Sequence, residues 1–284
     1  MKLGITAASG HLGAAIIRQL LKNNSPENII GMARTVEKTK GLGVEIRKGN
    51  YENKDEFLNA LADVDVLLLV SSMAKSEDRL RQHGNVIEAA KECGVKKIAY
   101  TSIIGSADAT DFASIVASNR ETEKMIENSG LEWVIGRNGL YIEPDLDAVP
   151  EYQKAGVVTN CAGDGRCSYT TRDELGFAFT NMMLDNQHNG HIYNLTGPSL
   201  TQQELVDFIN TYFGLHLKFQ DIPVEEFKQD RLAAHGEHLG TIIAGIYDSI
   251  RRGFFDVDSD FATAAGRPHL SWPEYIQQYK RTNS

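Results

Sequence analysis

The chain has 284 residues, 42% hydrophobic and 24% charged, enough for a sizeable core in one large domain or two modest ones. Its formal net charge of -9 argues against nucleic acid or an anionic membrane surface as a partner, because both require a basic face. No run of about 18 apolar residues marks a membrane span, no charged-then-apolar leader opens the chain, and Cys93, Cys161 and Cys167 fit neither a metal spacing nor a disulfide framework, so the expectation is a cytoplasmic protein with reduced thiols and no metal.

The first half alternates strand and helix. Strands are predicted at residues 2–6, 28–33, 44–48, 64–70, 97–102 and 132–137, and helices at about 11–22, 55–61, 77–93 and 113–128. Segment 64–70 is apolar apart from Asp65, as in a central strand buried on both faces. This rhythm predicts the α/β class: a Rossmann-type doubly wound parallel sheet with helices on both sides.

After about Pro144 the rhythm changes. Gly163-Asp164-Gly165 reads as a turn. A helix follows at 172–184 and a strand at 191–195. Thr201-x-x-Glu204 forms a capping box before Leu205, Phe208 and Ile209, and further helices are predicted at 224–234, 239–252 and 271–280. Residues 1–144 thus read as a nucleotide-binding domain, open to reclaiming segments such as 166–196. Residues 145–284 read as a smaller, mostly helical, substrate-binding lobe packed closely against it.

Ile5-Thr6-Ala7-Ala8-Ser9-Gly10-His11-Leu12-Gly13 is the most informative segment. A strand breaks into a small-residue turn that opens an amphipathic helix, the place where a doubly wound sheet holds a dinucleotide diphosphate. Unpaired N–H groups and the helix dipole favour the anion there. Thr6, Ala8, Ser9, Gly10, His11, Leu12 and Gly13 are therefore assigned to the cofactor. Ala7 stands where the usual spacing begins with glycine, so its methyl group must tolerate the turn's dihedrals or distort it.

The second strand ends Gly31-Met32-Ala33-Arg34 without an acid to bind the ribose hydroxyls. Arg34 suits a 2′-phosphate instead, which favours NADP(H) over NAD(H). Lys38 is a possible assistant or an ordinary surface lysine. Asn50 and Tyr51 follow the third strand, in reach of an adenine. Val70, Ser71 and Ser72 close the fourth strand, beneath the ribose and nicotinamide. Ser102, at the end of the fifth, is placed to reach nicotinamide or substrate. Each hydroxyl and Asn50 has an alternative role in a turn or cap.

These segments together carry a resemblance: residues 6–13, Ala33-Arg34, Tyr100-Thr101-Ser102, Glu121-Thr122-Glu123-Lys124, Arg137-Asn138-Gly139-Leu140-Tyr141, Ala162-Gly163-Asp164-Gly165 and Tyr193-Asn194-Leu195. Over nearly its full length the chain resembles the NmrA-like, atypical branch of the short-chain dehydrogenase/reductase superfamily. The resemblance implies a Rossmann fold, a nicotinamide cofactor and reductase activity. Asn119 stands where relatives often carry histidine, so a proton-shuttling role there does not transfer.

Ordinary short-chain dehydrogenases reduce carbonyls with a Tyr-x-x-x-Lys pair. Here no tyrosine has a lysine four places on, and residues 113–128 contain Lys124 but no tyrosine. Reducing an alcohol-type carbonyl builds a strongly basic alkoxide and needs a placed acid. A quinone that accepts hydride becomes a phenolate, which water protonates. The expected partner is thus a small quinone-like acceptor, positioned by Ser102, Asn138 and Tyr141, with Tyr247, Phe254 and Phe255 either stacking on it or filling core. A homodimer remains open. So does a different class of function, a redox sensor that binds NADP(H) without turnover. A sugar-nucleotide epimerase lacks its tyrosine base, the His235-x-x-His238 pair is interrupted by Gly236 and lacks further ligands, and no Gly-x-Ser-x-Gly elbow supports a hydrolase.

Overall fold

Short apolar runs in the amino-terminal half leave the backbone no partner but one another, and the computed structural model, which describes residues 1–108 and 110–283, gathers them into one sheet. In chain order the first elements are β1 (Leu3–Ile5), α1 (His11–Leu20), β2 (Ile29–Ala33), β3 (Glu45–Lys48), α2 (Lys54–Ala60), β4 (Val66–Val70), α3 (Ser76–Glu92), β5 (Lys97–Ile103), α4 (Ala113–Glu127) and β6 (Glu132–Asn138). After β7 (Leu140–Tyr141) come α5 (Glu143–Asp147), α6 (Val149–Ala155), β8 (Val157–Asn160), β9 (Arg166–Thr170), α7 (Arg172–Leu184) and β10 (His191–Leu195). The chain ends with β11 (Ser199–Thr201), α8 (Gln202–Phe213), β12 (Lys218–Asp221), α9 (Val224–Arg251), α10 (Phe261–Ala265) and α11 (Trp272–Asn283).

Seven parallel strands run in the order β10-β6-β5-β4-β1-β2-β3. The order reverses at β1, between β4 and β2, and the carboxyl ends of these strands flank the crevice where such sheets bind ligands. One face packs on α1 and α7 through Ile5, Ile16, Leu68, Val134 and Phe179. The other packs on α2 and α3 through Met32, Phe57, Leu67, Val86 and Tyr100. β4 is buried along its whole length, as its apolar sequence requires.

The expected alternation is present, with small differences at the ends that have local causes. β4 starts at Val66 because Asp65 faces outward, accepting from Lys2 N and pairing with Lys96. α1 stops at Leu20, whose carbonyl accepts the side-chain amide of Asn24. Thr171 caps α7 by accepting Glu174 N–H, and Thr201 with Glu204 forms the expected capping box on α8.

Residues beyond 144 contribute to the main sheet. β10 extends it beside β6, and α7 covers it beside α1. Glycine permits both contacts. A Cβ on Gly136 would lie 2.5 Å from Leu195 Cδ1 and 2.6 Å from Phe179 Cζ, and one on Gly176 would press on Ala15 O at 3.2 Å. The remainder forms two small sheets, β11-β9-β7 and β12-β8, with helices around them. One apolar cluster runs from Ile104, Phe112 and Ile115 at the carboxyl end of β5 to Tyr169, Phe255 and Trp272, so the helical lobe is welded to the sheet.

α9 is two helices joined at Gly236, whose φ of 75° and ψ of 173° lie outside the helical region. This matches the expected pair at 224–234 and 239–252. An added Cβ there would meet nothing within 4 Å, so substitution carries a backbone cost alone. Gly236→Ala is expected to lower the unfolding free energy by about 1–3 kcal/mol in denaturant titrations; a loss below about 0.5 kcal/mol would show the joint to be unstrained by a side chain.

Candidate dinucleotide site

The turn after β1 is fixed by backbone bonds to both neighbouring strands: Thr6 N–H donates to Leu68 O at 3.0 Å and Ala8 N–H to Met32 O at 2.9 Å. Gly10 N–H then closes on Ala7 O at 2.8 Å. Ala7 sits at φ 50°, the one positive φ outside glycine among the described residues. The turn therefore keeps the glycine-type conformation, and its methyl group tolerates it at a cost of about 1–2 kcal/mol.

α1 begins with Gly10 as N-cap and no side chain capping it, and its first turn holds no acid. Its leading N–H groups are left for solvent or an anion. Ser9, Gly10 and His11 are exposed, whereas Thr6, Ala8, Leu12 and Gly13 are buried beneath them. A Cβ on Gly13 would stand 2.5 Å from Ala7 O and one on Gly10 3.2 Å from the same atom, so both glycines let helix and turn approach.

Thr6 and Tyr51 form a platform under the crevice. The Tyr51 hydroxyl lies 2.6 Å from both Thr6 Oγ1 and Val70 O, while Val70 N–H donates to Thr6 Oγ1 at 2.8 Å. Burial pushes the Tyr51 phenol far up, so it stays neutral. Asn50 takes the turn role: its Oδ1 accepts Glu52 N–H at 3.2 Å. Ser71 N–H donates to Thr101 Oγ1 at 2.8 Å and its hydroxyl to Asn119 Oδ1 at 3.2 Å, which also accepts from the Tyr100 hydroxyl at 2.6 Å. Burial pushes that phenol up to about 12. At the rim, Arg34 and Lys38 are exposed, and Arg34 has no ion pair among the described residues.

Ser102 is not free. Its hydroxyl donates to Glu123 Oε1 at 2.5 Å and accepts from Arg120 at 3.1 Å. Glu123 is buried and takes two bonds from Arg137, at 3.0 and 2.6 Å, and one from Arg120 at 2.8 Å. Burial raises its carboxyl, but Arg137, Ser102 and Arg120 outweigh that and hold it below the usual range. Lys124, by contrast, is exposed and paired with Glu121.

Asn138 ends β6 and Tyr141 ends β7, just beyond it. Burial raises the Tyr141 phenol, and the Arg172 guanidinium lies 5.4 Å over its ring. Asn138 Oδ1 is buried and has no hydrogen-bond partner. An orphaned acceptor at the carboxyl end of a strand is a place where a ligand donor belongs. The aromatic candidates in the helical lobe are engaged internally: Phe255 is fully buried with its ring 5.9 Å from Phe112, and Tyr247 packs edge-on against Phe227 at 5.2 Å.

Sequence reading gave Arg79, His83, Glu123 and Asp145 no role of their own, because which polar side chains are buried against one another is set by the fold even where a partner is near in sequence, as Arg120 is to Glu123 and Tyr152 to Asp145. Asp145 is buried in the helical lobe, accepting from Tyr152 at 3.0 Å and more weakly from Tyr247 at 3.5 Å, and burial pushes its carboxyl up to about 6.

The comparisons agree with this architecture. Residues 7–156 match the family model described as NAD(P)H-binding. Quinone oxidoreductase 2 of Escherichia coli is 31% identical over 99% of this chain and all of its own length. An NmrA-like family domain-containing oxidoreductase of Aspergillus flavus is 31% identical over 80% of this chain and 76% of its own. Among solved structures, the Citrobacter triphenylmethane reductase complexed with NADP(H) is 29% identical, with a TM-score of 0.89 over 98% of this chain and 99% of that one. The chain belongs to the NAD(P)H-binding family, in its NmrA-like branch, and is an oxidoreductase. No helix among the described residues is long and apolar enough to cross a membrane.

The raised Asp145 pKa has a defined consequence. Its carboxyl binds a proton more tightly folded than unfolded, so the stabilising effect of that proton is complete below about pH 4 and is lost as pH rises through about 6. Above pH 7 the fold carries the cost of a buried carboxylate. Asp145→Asn removes that cost: its stability relative to wild type, from denaturant unfolding, should be more favourable at pH 8 than at pH 4 by about 1–3 kcal/mol. A pH-independent difference would refute the assignment.

Proposed function

We propose that the protein is an NADPH-dependent reductase that passes hydride to a quinone or similar conjugated electrophile. The observation that carries this reading is the exposed, uncapped amino end of α1 at the switch point, with unpaired Arg34 at the end of the neighbouring strand. The residues present fit the cofactor: glycines where a Cβ would fill the approach, a helix terminus for the diphosphate, and an orphaned acceptor at Asn138 for an amide donor.

NADPH supplies a hydride from its reduced nicotinamide. Ser9 and His11 offer backbone N–H groups to the diphosphate, and Gly10, whose own N–H closes on Ala7 O, lets the backbone approach it. Arg34 binds the 2′-phosphate as a charge-assisted fork, which sets the preference over NADH. Asn138 and Tyr141, with Ser102 held behind them by Glu123, line the acceptor side and fix its orientation. Positioning and exclusion of water supply most of the rate. The chain places no Tyr-Lys acid pair there, which suits an acceptor whose product is a weakly basic phenolate. The Escherichia coli relative is by name a quinone oxidoreductase, and a cationic dye such as the one reduced by the Citrobacter relative needs no proton on accepting hydride.

Mixing the protein with NADPH and a panel of quinones should give loss of nicotinamide absorbance. Tight NADPH binding with no turnover on any acceptor would favour a sensor instead. Arg34→Glu is expected to weaken NADPH by about tenfold to a hundredfold while NADH changes little; equal weakening of both would refute the cofactor assignment.

A further inference from the structure

The backbone just beyond β4 is gripped by two buried side chains of α3. Arg79 is 4% exposed, yet its guanidinium donates only to neutral oxygens: Ser72 O at 3.0 Å, Ala74 O at 3.1 Å, Ser118 Oγ at 3.1 Å and Ile115 O at 3.4 Å. Among the described residues no carboxylate pairs with it. One turn on, His83 is fully buried. Its Nε2 accepts Ser72 N–H at 2.9 Å, so Nδ1 carries the proton and faces Thr122 Oγ1 at 2.9 Å. The Thr122 hydroxyl donates in turn to Ser118 O at 3.0 Å. Ser72 is thus held at both its N–H and its carbonyl, and α3 is tied through the same network to α4.

Stability alone does not account for this arrangement. A buried cation without a counter-ion is costly, and an apolar side chain of similar size fills such a space more cheaply. What the guanidinium supplies that leucine or methionine cannot is a fixed set of donors on two carbonyls, those of Ser72 and Ala74. Met73 between them is 78% exposed, so the side chain at the tip meets solvent while the backbone beneath it is fixed. The segment lies at the carboxyl end of β4, the strand beside β1 on the other flank of the crevice from Arg34. Burial, with the Arg79 charge adding to it, lowers His83 to about 3, so the ring stays neutral and the Ser72 bond persists throughout the ordinary working range of pH.

We propose that Arg79 and His83 are positioning residues for the dinucleotide, clamping residues 71–74 into a rigid rail along the β4 side of the crevice before the ligand arrives. The proposal rests on the dinucleotide reading above. A preformed rail removes the ordering cost of a loop on binding, so its effect falls on cofactor affinity and not on the hydride step.

The discriminating pair is His83→Leu, which removes the acceptor for Ser72 N–H, and His83→Gln, which returns an oxygen near the position of Nε2. At a temperature where both are folded by circular dichroism, His83→Leu should raise the Kd and KM for NADPH about tenfold, with kcat at saturating NADPH within about twofold. His83→Gln should recover most of that affinity. Leucine binding as tightly as wild type, or glutamine no better than leucine, overturns the proposal. Should His83→Leu not fold, hydrogen exchange on the ligand-free wild type decides. The Ser72 amide should exchange slowly, and fast exchange there overturns the clamp. Wild-type protein that takes up no NADPH is a separate failure, of the dinucleotide reading itself.

Discussion

The contact on which the rest depends is the approach of α1 to the turn after β1. Gly13 meets Ala7 O so closely that one more carbon would stand 2.5 Å from it. That closeness aims the first turn of α1 at the crevice, and because Gly10 offers no side chain, the leading amides stay unsatisfied. An oligopeptide with this sequence would have no reason to leave them so. The sheet enforces it by anchoring Thr6 and Ala8 to the strands on either side. The same geometry explains how Ala7 is tolerated where related motifs use glycine. Its positive φ costs about 1–2 kcal/mol, but the turn is bonded to the sheet at the residues on both sides, which holds that conformation in place.

A second constraint is the hydrogen bonding of buried polar groups at the carboxyl ends of the strands, from which Asn138 Oδ1 stands out as an exception. Thr6, Tyr51 and Val70 close one network, Ser71 and Tyr100 converge on Asn119 Oδ1 in a second, and Ser102, Glu123, Arg120 and Arg137 make a third. In low dielectric a half-satisfied network is costlier than none, so the floor of the crevice is rigid. Its hydroxyls are committed, and its phenols are driven away from ionisation by burial. Such a floor orients a ligand well and exchanges protons with it poorly. That combination suits a hydride acceptor whose reduced form needs no proton from the protein.

Much of this was legible in the sequence, and the division has a physical basis. The helix at 172–184 and the strand at 191–195 were expected with the ends they have, since Thr171 caps the one and Gly190 precedes the other. The break in α9 was visible as Gly236, and the turn after β1 as small residues between strand and helix. These signals are local. Arg79, His83 and Asp145 left no such trace: His83 meets Thr122 from 39 residues away, and although Tyr152 is only seven residues from Asp145, the burial that shifts that carboxyl is made by the fold. Asn50 and Ser102 show the converse limit. Their positions at strand ends were plain, but whether a side chain faces the crevice or closes a turn or an ion pair depends on neighbours that only the fold brings near.

The two arginine systems, one half-buried and one buried, show how the same residue type serves opposite ends. Arg137 and Arg120 both meet the Glu123 carboxylate, and with Ser102 they hold that carboxyl below its usual range despite burial. Arg79 meets only carbonyls and one hydroxyl, so its charge is solvated by the protein and never cancelled. The Arg79 charge adds to burial in lowering its neighbour His83, and it leaves a cation beside the carboxyl end of the middle strand, β4, in a chain of net charge -9. On a surface that repels anions overall, a nucleotide needs local positive features to find its place. On the reading proposed above, the amino end of α1, Arg34 and Arg79 would be such features, each following the carboxyl end of one of the three adjacent strands β1, β2 and β4.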